Sequence, residues 1–226
     1  MWIDEDSEFA NIAPMLDKDK DVLEVGCGNG RISERLSKVA RTFVGVDPDK
    51  SKLDEAINIL GDDSGTTFKV ARGEALPFSE ESFDIVFYYL SFHHLPIKLQ
   101  YDGILEAKRV LRKDGRLLIY EPIAAGQMQS LFLIFEPEIN ELKEVYVSIN
   151  RAVDNKAFDV MRRKNFSINW RFDDVQDLFR FFQGEYGKDA LEKNEEKVLS
   201  LLKDKARQEP IILEDKLILF ELRACK

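Results

Sequence analysis

The stretch DVLEVGCGNGRIS, Asp21 to Ser33, constrains the fold more tightly than any other part of the chain. Val22, Leu23 and Val25 form a short apolar run rich in β-branched residues, the composition of a strand buried on both faces, and Gly26, Gly28 and Gly30 follow at once. Glycines at this spacing serve a turn too sharp for residues with a Cβ, because it visits positive φ, and they let another molecule approach the backbone closely. Beyond them Ile32, Leu36 and Val39 recur at helical spacing. The stretch reads as strand, glycine turn and helix. Its turn amides are expected at a helix N-terminus, an end that favours polar oxygens.

A second apolar run, TFVGV at Thr42 to Val46, ends in Asp47. This acid lies about twenty residues past the first glycine, where a doubly wound sheet sets a carboxylate beside a ribose. Asp47 also precedes Pro48, so the same residue suits a turn or the N-cap of a helix starting near Ser51. The spacing of the glycines discriminates between ligands. A nicotinamide fingerprint, GxGxxG, requires its third glycine where Arg31 stands, and here the third glycine comes one residue early, at Gly30.

Strands and helices then alternate. Residues 4–16 suit a short helix with Phe9, Ile12, Ala13 and Leu16 on one face. Ser51 to Leu60 reads as a helix ending near Gly61, Thr66 to Ala71 as a third strand, and Phe83 to Leu90 as a fourth. Ile97 to Leu111 is a helix with Ile104, Ala107, Val110 and Leu111 facing inward. The turn Arg112 to Gly115 (RKDG) leads it into a fifth strand, Arg116 to Glu121. Such alternation predicts a parallel, doubly wound sheet with right-handed crossovers. From Ala124 the pattern breaks: residues 127–205 read mainly as helices, with Phe166 to Phe172 strand-like, and Ile211 to Arg223 reads as a closing edge strand.

Composition excludes several classes. A chain of 226 residues with 44% hydrophobic and 33% charged residues is globular in type. It contains no apolar run long enough to span a bilayer and opens on acidic rather than basic residues, so a cytoplasmic, untargeted protein is expected. The net charge of −9 argues against a nucleic-acid partner. Two cysteines, Cys27 and Cys225, suit a reducing compartment and form no metal-ligand spacing.

Three segments carry a family resemblance. The pattern ExGxGxG is formed by Glu24, Gly26, Gly28 and Gly30, the stretch RGEALPFSEESFDIVFYYLSFHHL spans residues 72–95, and AKRVLRKDGRLLI spans 107–119. Together they resemble the class I S-adenosylmethionine-dependent methyltransferases, especially the small-molecule type related to the quinone-biosynthesis enzymes, over residues 20–122. The resemblance implies a mostly parallel seven-stranded, Rossmann-like α/β sheet in one domain. Residues 1–123 would be its cofactor-binding half, 124–205 a helical cap inserted after the fifth strand, and 206–226 the closing strand.

The resemblance also implies site roles. The backbone of Gly26, Cys27 and Gly28 would hold the methionine portion of S-adenosylmethionine, with Glu24 orienting the loop from below and Asp47 accepting from the ribose. Gly73, Glu74 and Ala75 would face the adenine. Tyr88 and Tyr89 would meet the methionine amino group through backbone carbonyl and ring. The family usually carries an acid two residues ahead of Glu74, and here that position is Arg72. His93 and His94 follow the fourth strand; either packs there or serves as general base. Adjacent histidines are expected to point apart, and no third ligand has suitable spacing, so no metal site is expected. Cys27 suits a small loop residue rather than a nucleophile.

The function expected is methyl transfer to a small, partly hydrophobic acceptor by in-line displacement, with most aromatics of the stretches at 129–135 and 175–182 packing a cap onto the sheet and the remainder lining a pocket that this cap closes over the acceptor. The rivals are a non-catalytic cofactor-binding or regulatory protein and, more distantly, a nicotinamide oxidoreductase.

Overall fold

A computed structural model describes residues 5–16, 18–60 and 66–225. The end of the third helix at Gly61 and residue 4 of the first lie outside the described residues.

Seven strands form one sheet in the order β3-β2-β1-β4-β5-β7-β6. They are β1 (Asp21–Val25), β2 (Thr42–Asp47), β3 (Thr66–Val70), β4 (Phe83–Tyr89), β5 (Leu111–Pro122), β6 (Phe158–Phe172) and β7 (Ile211–Ala224). Pairings of β1 with β2 and β4, β2 with β3, and β4 with β5 are parallel, as the alternation of apolar runs and helices predicts. The helices are α1 (Glu5–Ile12), α2 (Ser33–Ser37), α3 (Lys50–Leu60), α4 (Ile97–Val110), α5 (Gln127–Phe135), α6 (Ile139–Asp154), α7 (Val175–Tyr186) and α8 (Lys188–Leu202). No helix among the described residues is long and apolar enough to cross a membrane.

The chain divides into two compact units. The larger comprises Phe9–Glu121, Asn140–Asn165 and Ile218–Lys226. Its core is built on β1 and β4, where Val22, Leu23, Ile85, Val86, Phe87 and Tyr88 are fully buried. Continuous apolar runs are what a parallel strand covered on both faces needs. On α4 the buried residues Ile104, Ala107 and Val110 repeat at three-residue spacing, the inward stripe read from the sequence.

The smaller unit contains Pro122–Ile139 and Phe166–Leu217. It has its own core of Met128, Leu131, Phe172, Leu178, Phe181, Phe182, Leu191, Val198 and Leu202. Phe135 stacks on Phe182 and on Tyr186, each with ring centroids 4.7 Å apart. Aromatics of the 129–135 and 175–182 stretches thus make a hydrophobic core within this unit, with Phe182 fully buried.

Three sequence expectations change. The RKDG turn lies within β5 and not before it: Phe83 pairs with Leu111 and Ile85 with Arg116, so the partner strand accommodates an excursion over 112–115, with Asp114 at φ +62. The strand-like stretch beginning at Phe166 starts earlier, at Phe158. Ile211–Ala224 is the sixth position of the sheet, not its edge; β6 is the edge. The burial explains the exchange. Leu217, Ile218, Leu219, Phe220, Glu221 and Leu222 of β7 are buried in succession, as in a strand with neighbours on either side, whereas Asp159 to Asn165 of β6 are exposed.

Candidate active site

The turn after β1 has the conformation its glycines imply. Gly26, Gly28 and Gly30 lie at φ +76, +54 and +79. They are needed for different reasons. A Cβ on Gly26 would fall 2.5 Å from the Cβ of Ser91, and one on Gly30 would fall 3.0 Å from the Cβ of Ala56, so these two permit close packing. A Cβ on Gly28 would meet no protein atom within 4 Å. Gly28 is thus the position where the loop faces open space.

The loop's amides are largely engaged within the protein. Those of Gly26 and Cys27 donate to the Val46 carbonyl (2.7 and 3.0 Å), that of Gly30 to the Cys27 carbonyl (3.0 Å), and that of Gly28 to Asp47 Oδ2 (2.9 Å). The sequence-based picture of free amides at a helix N-terminus is therefore corrected. The loop offers shape and carbonyl oxygens more than amide donors, and α2 behind it has only five residues. A pyrophosphate site requires those amides, so this geometry does not suit a dinucleotide.

Two carboxylates underlie the loop. Asp47, at the end of β2, is 8% exposed; its Oδ1 accepts from the Asp49 amide (2.9 Å) while Oδ2 accepts from Gly28. Glu24 is buried in β1 and accepts a hydrogen bond from the Ser33 hydroxyl. Burial pushes its pKa up to about 8, with the Ser33 hydrogen bond opposing the shift. Above the ordinary carboxylate range the unfolded chain ionises Glu24 while the folded one keeps it protonated. The stability associated with the protonated form is therefore complete at low pH and is lost as pH rises through the folded pKa. Glu24→Gln is expected to remove this dependence. Relative to wild type, the variant should gain stability progressively between about pH 5 and 8, by on the order of 4 kcal/mol at the upper end. Urea denaturation across that range is the measurement; parallel pH profiles for the two proteins would contradict it.

Cys27 is buried, and burial, followed by the nearby Glu24 and Asp47, raises its thiol pKa. That is the opposite of what a nucleophilic thiol needs.

The loop after β3 is held by α4. The Leu76 amide donates to Glu106 Oε2 (2.9 Å), and Arg109 donates to the carbonyls of Leu76 (2.9 Å) and Phe78 (2.7 Å). Gly73 is buried, Glu74 half-buried and Ala75 exposed, with the Ala75 amide donating to the Arg72 carbonyl at 3.1 Å. Arg72 is exposed.

Tyr88 and Tyr89 point to opposite faces of β4, and only their backbone shares the strand end. The Tyr88 ring belongs to the core: it meets Phe92 edge-on at 4.9 Å, and its hydroxyl faces Gly73, where a Cβ would fall 3.0 Å away. This hydroxyl has no hydrogen-bond partner among the described residues. Tyr89 stacks on Tyr120 (5.5 Å, 5°) and accepts from Arg31 Nη2 at 2.8 Å. Arg31, notable in the sequence only for excluding a third glycine, ties the start of the helix after the loop to the end of β4.

The two histidines also separate in role. Their rings lie together, 4.1 Å between centroids, rather than pointing apart as expected. His94 is exposed, whereas His93 is buried and its Nδ1 is hydrogen-bonded to Glu121 Oε2. Glu121 is the residue that sequence reasoning missed. It ends the fifth strand of the larger unit's alternation, is 1% exposed, and its Oε1 accepts from the amides of Ser91 (3.1 Å) and Phe92 (2.8 Å). Ser91 in turn donates through Oγ to the Val25 carbonyl at 2.6 Å and packs where a Gly26 side chain would stand.

Residues 23–119 match a family described as a methyltransferase domain. The chain is 32% identical over 115 residues to 27-O-demethylrifamycin SV methyltransferase of Amycolatopsis mediterranei, covering 49% of this chain and 41% of that protein. It is 30% identical over 145 residues to tRNA U34 carboxymethyltransferase of Pseudomonas fluorescens, covering 62% and 45%. The chain thus spans less than half the length of these curated relatives. Among solved structures, the YcgJ protein of Bacillus subtilis shares the fold with a TM-score of 0.67 at 20% identity, covering 98% of this chain and 99% of that one.

Proposed function

We propose, from the match of residues 23–119 to a family described as a methyltransferase domain, that the protein moves the methyl group of S-adenosylmethionine to a small, partly hydrophobic molecule. The observation that carries this reading is the pairing of Asp47 with the Gly28 amide at 2.9 Å, with open space in front of Gly28. It unites open space in front of the loop with a neighbouring carboxylate. Such a set suits the hydroxyls of a ribose and a zwitterionic amino-acid portion, and it disfavours a phosphate because the Asp47 carboxylate lies beside the loop.

In this reading Asp47 accepts from the ribose, the backbone of Gly26, Cys27 and Gly28 flanks the methionine portion, and Gly73, Glu74 and Ala75 face the adenine. Tyr89 and the Tyr88 carbonyl stand at the end of the strand between them. When bound, the cofactor supplies a methyl already activated on a sulfonium. The residues need only position the acceptor in line and exclude water. No covalent residue is required, and His93 is the candidate that takes a proton from the acceptor. The acidic net charge of −9 supports a small acceptor over a nucleic acid, although one relative's name refers to tRNA.

Titration calorimetry with S-adenosylhomocysteine and with NADH tests the proposal. Binding of the first with no heat from the second is the expected result. NADH binding with silence toward S-adenosylhomocysteine would overturn it.

A further inference from the structure

We infer that Asp215 is a latch: its carboxylate stands in for the capping side chain that Gly126 lacks and holds the first turn of α5 to β7, so that the charge on one buried acid sets how firmly α5 is docked in the smaller unit. The inference does not depend on the methyl-transfer reading.

The first support is the fit of Asp215 into the start of α5. Gly126 is the N-cap of this helix, a position that ordinarily carries Ser, Thr, Asp or Asn because their oxygens accept from the amides of the first turn. Its backbone, at φ −77 and ψ 155, is open to any residue, so conformation does not demand glycine there. The neighbouring strand does. A Cβ on Gly126 would fall 1.5 Å from Asp215 Oδ1, and that same oxygen accepts from the Gln129 amide in the first turn at 3.2 Å. The cap therefore comes from β7, 86 residues along the chain from Gln129. Two further ties fasten the segment to the same strand: the Ile123 amide donates to the Lys216 carbonyl (2.8 Å), and the Gln127 side chain accepts from the Glu214 amide (2.9 Å).

The second support is the setting of the acid. Asp215 is buried and forms no ion pair among the described residues. It lies against Gly126 and Gln129 of α5 and Trp170 of β6, none of them charged, while Glu214 and Lys216 on its own strand occupy the exposed, alternate positions. Burial pushes its pKa up to about 6, and the Gln129 and Lys216 amides and the Trp170 indole pull the other way. The folded value exceeds the unfolded one. The docked state is therefore favoured in full by the protonated acid and loses that advantage as pH rises through about 6. The consequence reaches the core of the unit, because α5 carries Met128 and Leu131 into it and sets Phe132 and Phe135 against Phe182.

Hydrogen–deuterium exchange of the whole chain, read as protection factors over α5 at about pH 5 and about pH 7.5, tests the latch. Wild type is expected to lose about tenfold in protection over that range, the ratio that follows from a carboxyl pKa of about 6 when docked and 3.8 when released. Asp215→Asn keeps an acceptor for the Gln129 amide without the charge, so its protection should change by less than about twofold between the two conditions. Asp215→Ala leaves the first turn uncapped and should be about 2- to 30-fold less protected than Asp215→Asn at either pH. Wild-type protection that does not change with pH overturns the inference, as does an alanine variant as well protected as the asparagine one. If the variants fail to fold, the wild-type profile decides: a loss confined to α5 and the facing residues of β7 upholds the latch, and an equal loss in β1 and β4 of the larger unit overturns it.

Discussion

Asp47→Ala is expected to weaken binding of S-adenosylhomocysteine by roughly 2 to 4 kcal/mol, about 30- to 1000-fold. Two effects add. The substitution removes a carboxylate acceptor beside the loop, and it releases the Gly28 amide, which donates to Asp47 Oδ2 at 2.9 Å and so holds the loop against β2. The Asp49 amide loses its partner on Oδ1 as well, so folding stability should fall by about 1 to 3 kcal/mol while the chain remains folded. Calorimetry measures the affinity, and circular dichroism at the same temperature verifies that the protein titrated is native. Wild-type affinity in a folded Asp47→Ala protein would mean that the ligand lies elsewhere.

The two glycines of the same loop should respond differently. Gly26→Ala puts a methyl group 2.5 Å from the Cβ of Ser91 at φ +76. Ser91 is not free to yield, because its Oγ is bonded to the Val25 carbonyl and its amide to Glu121. A stability loss of about 3 kcal/mol or more is expected, from backbone strain and overpacking together. Gly28→Ala adds a methyl group with nothing from the protein within 4 Å, at φ +54. Its cost to folding should be only the strain, about 1 to 2 kcal/mol, and its principal effect should be reduced affinity as the methyl intrudes on the space the proposed cofactor would occupy. Denaturation midpoints compared with calorimetric affinities separate the two. Equal stability losses would show that the loop shifts freely and that packing against Ser91 does not hold it.

The features legible in the sequence are those written in the order of neighbouring residues. Val22 to Gly30 specifies strand and turn because apolar runs and positive-φ positions are properties of consecutive residues. Asp47 is legible because a strand of ordinary length after one helix ends near it, and the parallel pairing of β1 with β2 brings it to Gly28. The spacing that sets Arg31 where a third glycine belongs also spoke against a dinucleotide, and the loop's internally engaged amides agree.

Other features depended on partners distant in the chain. Ile211 to Arg223 has the composition of a strand at any position in a sheet, and only its insertion between β5 and β6 buries Leu217 to Leu222. The twin tyrosines of β4 are indistinguishable by composition. Pleating sends Tyr88 toward Phe92 and Tyr89 toward Tyr120, and which face receives a ligand is a property of what packs there. His93 and Glu121 are 28 residues apart and follow no spacing rule. The sequence by itself determined the glycine loop, its acid and the parallel strands that present them. The tertiary structure alone decided that His93 meets the Glu121 carboxylate, because the β4–β5 register, and not any local pattern, brings those two strand ends together.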